Sequence, residues 1–455
     1  MASFSVRKGL NVRLAGAPEA NVAEAAEAAT VTVFPADIHG IKPRLFVKEG
    51  DAVKRGQSLV QDKRNEAFRL TAPSGGTIKQ IVYGPRRALE QLIIAVDPRA
   101  EAESFGRVSA GQIATLSRDQ VLTALMASGL LVLLRQRPFS RMANPAATPK
   151  SIFVNAGPTA PHAPDANVVL KGREAAFQAG LDVLTRLTAG AVHLCLHADR
   201  TNTPVLTGAK NVQVHTFSGP HPAGNPSIHI SRLDPIKPGD TVWTITAGHV
   251  ALIGELFLSG EVPSHRIVSV GGTGVADPAR RYYRVRAGAP LATLLDGRLA
   301  VGEQRIIRGD IYSGLKTATT DALHLLDAQI AVLPEDRERH LLGWMMPGAD
   351  VFTVSKSFVS GWLDRARTWT LGTNQHGEHR PMVLTGLYDQ YLPLNIMTDF
   401  LLRAVLANDT DEAIKLGILE TDPEDFAPAA VACPSKMDLP GIIRRGLDDI
   451  EKEGI

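Results

Sequence analysis

The chain is poor in cysteine. Only Cys195 and Cys433 occur in 455 residues, too few for a disulfide framework, a four-cysteine metal site or an iron–sulfur ligand set. That usage points to a reducing, cytoplasmic setting. An excess of one charge is also missing: 49 basic side chains face 47 acidic ones, for a net charge of +2. A nucleic-acid binder needs a basic surface to replace the counterions around phosphate, so that class is excluded. Long apolar runs are absent too. Residues 1–11 hold no apolar signal-peptide core. The most apolar uncharged run, Val121 to Leu134, would rise about 21 Å as a helix, short of the roughly 30 Å of a bilayer core. It is interrupted by Ser128-Gly129 and bounded by Asp119 and Arg135, so it reads as a buried helix. No Walker motif occurs anywhere.

What remains is a folded composition, 44% apolar and 21% charged, in a chain long enough for about three or four domains. The most informative stretch runs from Val47 to Ile78. Gly50 and Gly56 suit tight turns between very short strands. Pro73 and the pair Gly75-Gly76 end one strand and turn into the next. This pattern resembles half of a biotinyl/lipoyl carrier module. The modified lysine of such a module stands at a hairpin tip, roughly eight or nine residues past the Gly-Gln pair. Asn65-Glu66-Ala67 occupy that place here, and Lys63 comes too early. The expectation is a scaffold, not a swinging arm.

The hydrophobic period changes along the chain. Short β-rich runs at Ala29–Phe34, Leu45–Val47 and Leu92–Val96 make residues 1–100 a β unit. An amphipathic helix from Arg118 to about Leu134, then an Ala/Pro/Thr-rich linker from Met142 to Lys150, fill 101–150. From 151 to 262, strands alternate with helical spacing such as Phe177, Leu181, Leu184 and Leu187. That alternation predicts a mostly parallel, doubly wound sheet of the Rossmann-like kind. Residues 263–333 read as a small α+β domain, with strands at Ile267–Val270, Tyr282–Arg286 and Arg305–Ile311. Residues 334–455 turn mainly helical, with segments at Ile396–Ala407, Thr410–Leu416 and Ile442–Lys452. Asp411 and Glu412 sit in a first turn, where they favour the helix dipole.

Chemistry-bearing patterns are few. A dinucleotide site needs a row of free backbone N–H groups, but the loop after the first strand of the α/β unit reads Gly157-Pro158-Thr159-Ala160-Pro161-His162. Gly271-Gly272-Thr273-Gly274 is followed by no helix and reads as a turn. His193, Cys195 and His197 share one face of a strand, spread too widely for one small ion. Gly219-Pro220-His221-Pro222-Ala223-Gly224 is a stiff, preset loop in which His221 is expected to titrate near neutral pH. Arg135 and Arg137 suit a helix C-terminus, and Phe139 beside them reads as exposed, free to meet a planar ligand or a partner. Gln375 to Arg380 reads as a solvated loop, and no Ser-His-Asp order stands out. No catalytic centre is evident.

Several motifs, in order, resemble a known family. They are Lys8-Gly9-Leu10, Ala15-Gly16-Ala17-Pro18-Glu19, Val47 to Asp51, Arg137-Pro138-Phe139-Ser140, Gly180 to Thr185 and the Gly219 to Gly224 loop. Further on come Leu341-Leu342-Gly343-Trp344, Pro347-Gly348, Asp409-Thr410-Asp411, Cys433-Pro434-Ser435-Lys436 and Glu451 to Gly454. Together they are similar to the NqrA family, a component of bacterial Na+-translocating NADH:quinone reductases, along essentially the whole chain. The family has glycine where Ser435 stands. The resemblance implies a β-grasp-like (SLBB) fold for 263–333. It also implies a peripheral subunit, without a transmembrane segment, on the cytoplasmic face of the inner membrane. Its partners would be the other subunits of the complex, above all an integral membrane one, with ubiquinone a further candidate. The complex would couple electron transfer from NADH to ubiquinone with Na+ export, using flavins and iron–sulfur centres held by other subunits. This chain would bind no cofactor and no metal. The alternative is a flavin-binding electron-transfer subunit like that of complex I or the Rnf complex. Arg137, Phe139 and His221 are the candidate residues for quinone or subunit contact.

Overall fold

Short, largely buried strands from Thr30 to Val96 build the first unit. A computed structural model describes residues 2–200, 203–338, 341–363, 367–383 and 386–454. In it, Thr30–Val33, Leu89–Val96, Gly76–Tyr83 and Ala52–Val53 form a four-stranded antiparallel sheet in that order. Pro43–Leu45, Ser58–Asp62 and Arg69–Thr71 form a three-stranded one. Val31, Leu59, Ile78, Leu92 and Ile94 point inward and are fully buried. The hairpin tip at Asn65–Ala67 is pinned: Ala67 and Phe68 pack against the core of the α/β unit. A tip held this way cannot swing.

Residues 2–24 belong elsewhere, although the sequence counts them with the β unit. Ala2–Ser5 pairs in parallel with His215–Ser218, and Glu19–Glu24 pairs in parallel with Arg281–Arg286. Each extends the edge of a sheet formed much later in the chain.

The expected helix and linker at 101–150 also differ. The helix spans Arg118–Ala127, opened by the Ser117/Gln120 capping box, and stops at Ser128. Gly129 takes φ 75°, a left-handed stop that glycine adopts without cost. Leu130–Leu133 then form one 3-10 turn, and Arg135–Arg137 joins a sheet antiparallel to Val242–Thr246. Val121, Leu125 and Leu131 share an apolar core with Phe177, Leu181 and Leu184. Residues 118–137 are therefore part of the α/β unit.

In that unit Gln213–Ser218, Val192–His197, Ser151–Asn155 and Val242–Thr246 lie side by side, all parallel, in the order 3-2-1-4. Helices Glu174–Thr185 and Ala247–Ser259 cross at glycines: a Cβ on Gly254 would stand 1.8 Å from the Ala176 carbonyl oxygen. A six-stranded mixed sheet follows, in the order Leu315–Thr317, Gln304–Arg308, Gln329–Pro334, His265–Gly271, Arg281–Arg286 and Glu19–Glu24. Gly271 to Gly274 form a turn against Val332, as expected. The C-terminal helices Thr398–Leu406, Thr410–Lys415, Ala427–Ala432 and Leu439–Glu453 enclose Leu401, Leu402, Phe426 and Leu447. The same core takes in Val6, Ala223 and Ile228 of the α/β side, so the two units share one apolar seam. Among the described residues no helix is long and apolar enough to cross a membrane.

Candidate functional site

The seam carries the three candidate residues, each in a setting that sequence alone did not show. Arg137 ends a strand, and its side chain is 2% exposed. Its Nη1 donates to Ser227 Oγ at 2.9 Å, and its Nη2 donates to the Glu420 and Thr421 carbonyls. The Asp422 carboxylate stands 3.5 Å away. The guanidinium therefore caps the end of a C-terminal helical segment and faces a carboxylate, a geometry suited to its rigid fork. These contacts tie the sheet to the C-terminal helical unit.

Pro138, Phe139 and Ser140 turn the chain back, with Phe139 at φ 75° and Ser140 at φ 51°. Phe139 is half-buried against the C-terminal core, which corrects the expectation of an exposed ring. Its carbonyl accepts from Arg444 Nη1 at 2.8 Å. Arg141 Nε reaches Glu451 at 2.7 Å and its Nη2 reaches Asp448 at 2.9 Å. Below them Asn225 donates to Asp425 at 2.9 Å. Burial, then the neighbouring Asp422, raises the Asp425 carboxyl to about 6.

His221 is likewise enclosed. Its backbone N–H donates to Asn11 Oδ1 at 3.0 Å, and its Nδ1 lies 3.1 Å from Thr159 Oγ1. Tyr312 stacks on the ring at 4.9 Å between centroids, 9° from parallel, and donates its own hydroxyl to the Leu10 carbonyl at 2.9 Å. Gly219 sits at φ 131° so that the loop can press on Val6, whose carbonyl oxygen a Cβ would meet at 2.1 Å. His221 does not titrate near neutral pH. Burial pushes it down to about 4, against a weaker opposing effect of Asp310. The folded state thus refuses a proton that the unfolded chain takes up near pH 6.5, so this stability contribution is lost as pH falls from 6.5 through 4. We expect His221→Gln to lose about 2 kcal/mol less stability than the parent between pH 7 and pH 5, on the linkage of 1.36 kcal/mol per pKa unit. Denaturant melts at the two pH values check this.

The structure brings Arg137, Phe139 and His221 to one seam, but among the described residues no ring contact joins Phe139 to His221. Sequence reasoning missed Asn11, Thr159, Ser227, Tyr312 and Asp422. Only Asp422 carried a local signal, the capping box it forms with Asp425.

The strand face of His193, Cys195 and His197 is packed against neighbouring side chains. His193 Nδ1 lies 3.1 Å from His215 Nε2, and its ring leans on Phe153. Cys195 sits among Phe153, Phe217 and Ile230, where burial pushes its thiol up. Among the described residues no three His, Cys, Asp or Glu side chains converge as metal ligands. Cys433 is also a core residue, 3.0 Å from the Tyr388 hydroxyl. Ser435, where the family has glycine, donates its hydroxyl to the Pro381 carbonyl at 2.9 Å; the positive φ in that turn falls on Lys436. Serine is therefore tolerated there without backbone strain.

Comparison with known proteins matches three stretches of the chain. Family models match at residues 4–97 (the NqrA N-terminal barrel-sandwich hybrid domain), 116–262 (the NqrA second alpha/beta domain) and 267–319 (the NqrA C-terminal, SLBB domain). The second match starts before the 118–127 helix, as the packing requires. A protein of Tolumonas auensis is 40% identical over 452 residues, 99% of this chain and all of that one. Proteins of Saccharophagus degradans (40%) and Klebsiella pneumoniae (39%) match over 99% of this chain and their whole length. Each of the three is named as the A subunit of a Na(+)-translocating NADH-quinone reductase. With relatives this similar along its full length, the chain belongs to the NqrA family, the A subunits of the Na+-translocating NADH-quinone reductases.

Proposed function

We propose that this chain is a peripheral, cofactor-free subunit on the cytoplasmic face of the inner membrane. There it would organise a complex that couples electron transfer from NADH to ubiquinone with Na+ export. The observation that carries the reading is a group of large apolar side chains left in solvent between residues 341 and 362. Leu341, Trp344, Met345 and Trp362 are 90%, 76%, 65% and 70% exposed, in a chain with no spanning helix among its described residues. Exposed apolar surface of this kind marks a docking site, and an integral membrane subunit is the partner assigned to it.

The Rossmann-like strand order supports kinship with flavin and nucleotide subunits, while the loop at its first strand argues against cofactor binding. Pro158, Pro161 and Pro164 remove three N–H donors between 157 and 165. Gly157 approaches the backbone of His197, where a Cβ would stand 2.2 Å from its nitrogen. The Thr159 hydroxyl is already engaged by Gly224 and His221. Arg137, Phe139 and His221 act as seam residues that fix the helical unit against the sheet.

The test is mild-detergent affinity purification of the tagged chain from its native host. We expect co-elution of integral membrane subunits, Na+-stimulated NADH:quinone reductase activity, and no flavin released from the separated chain. A chain that elutes alone and inactive, under conditions that keep other respiratory complexes intact, would overturn the assignment. Bound flavin would favour the electron-transfer alternative.

A further inference from the structure

A cleft of about 1090 Å³ opens where the β unit, the α/β unit and the six-stranded sheet meet, away from the seam. Six cationic side chains line it: Arg55, Arg107, Lys171, Arg173, Arg266 and Arg284. Three carboxylates meet them: Glu255 and Glu261 in the lining, and Glu24 against Arg284. Basic side chains outnumber the carboxylates they meet, so basic charge is concentrated here.

The internal pairings leave donors over. Arg55 bonds Glu261 and the Val262 carbonyl, Arg173 Nε bonds Glu255 at 2.5 Å, and Arg284 reaches Glu24 at 3.3 Å. Arg266 Nη1 donates to the His324 and Leu325 carbonyls, so this guanidinium is committed inside the fold. Arg107 and Lys171 stand exposed at the rim, and among the described residues neither makes an ion pair. Burial drives His265 below its usual pKa, so the imidazole adds a neutral polar group and no charge. Val168, Leu258, Val262 and Ile267 supply an apolar wall. Exposed cationic side chains without an ion pair suit phosphate oxygens, and an apolar wall beside them suits an organic group. The volume matches pockets that hold small ligands.

We infer that this cleft binds a phosphorylated small molecule, a polyphosphate or nucleotide in class, at a site separate from the seam and from the Gly157–Asp165 loop. Electrostatics would give the affinity, and the apolar wall the choice of organic moiety. An acidic surface on a neighbouring protein is the competing occupant. It would have to present a complementary protrusion, whereas a small ligand of this charge needs none.

The test is calorimetric titration of the purified full chain with inorganic pyrophosphate at low ionic strength, on the parent and on an Arg107→Ala/Lys171→Ala double variant. Both substituted side chains are exposed, and circular dichroism checks that the fold is kept. We expect one saturable site that weakens as salt rises, and at least a tenfold loss of affinity in the double variant, on the energy of a charge-assisted hydrogen bond of about 1.5–3 kcal/mol. Arg284→Ala, at the opposite wall, is a second variant expected to weaken binding. No saturable binding by the parent, or equal affinity in all variants, would overturn the inference. Binding to anionic vesicles without binding to soluble pyrophosphate would overturn it in favour of a lipid headgroup. Loss of the chain from its complex in the charge variants, without pyrophosphate binding, would assign the cleft to an acidic partner instead.

Discussion

Replacing Arg137 by alanine is expected to cost about 3–5 kcal/mol of stability, the usual penalty for breaking a buried ion pair from one side. The guanidinium is 2% exposed and satisfies the Glu420 and Thr421 carbonyls together with Ser227. Its removal strands those two carbonyls and leaves Asp422 facing a void. It also removes the positive charge that holds down the carboxyl of Asp425, already raised to about 6 by burial and Asp422. The damage should fall on the seam, because the C-terminal core reaches across it through Val6, Ala223 and Ile228. Urea unfolding should therefore split into two transitions, with cleavage by a low dose of protease beginning between 386 and 454. Arg137→Lys should recover less than half of the loss, since an ammonium cannot donate in the planar fork that reaches Ser227 and Thr421 together. A single unshifted transition in Arg137→Ala would show that the seam does not depend on this residue.

How much of this was legible beforehand depends on the range over which each feature is determined. The strands at 192–197, 213–218 and 242–246 stand where β-rich runs meet turn residues, and these are local signals. Leu130 to Leu134 is apolar at every position, so it has no period to separate a helix from a 3-10 turn and a strand; the stop lay in Gly129 alone. Ala2–Ser5 and Glu19–Glu24 pair with strands more than 200 residues away, and nothing in their composition names those partners. The same holds for the seam. Arg137 lay in a readable motif, but its neighbours Ser227 and Thr421 and the stacking of Tyr312 on His221 arise from topology. Burial was the least legible property. Phe139 reads as exposed and is half-buried, His221 reads as titratable and is enclosed, and Leu341 to Met346 has the composition of a core segment and stands in solvent.

That exposed segment gives the second large effect. Changing Trp344 and Trp362 to serine is expected to weaken association with the rest of the complex by about 2–4 kcal/mol for each tryptophan that sits at the centre of the contact, roughly 30- to 1000-fold. The stability of the isolated chain should hardly change, because neither ring is buried in it. Charge favours protein over lipid as the partner. Between residues 335 and 369 there are five acidic and five basic side chains, and three of the cations are already engaged: Arg337 by Glu303, Arg367 by Asp350, and Lys356 over the Trp362 ring. A tip that enters an anionic membrane surface needs basic residues in excess. An apolar centre inside a balanced polar rim is the usual build of a protein interface. The measurement is the ratio of this chain to the membrane subunits after mild-detergent purification from the native host, read alongside a photo-crosslinker placed at Trp344. Loss of the variant chain from the complex, with crosslinks to another subunit in the parent, would establish the face as the docking surface. Full retention of the variant with crosslinks only to lipid would place the tip against the bilayer. The assignment to the complex would survive that result, and the proposed contact would not.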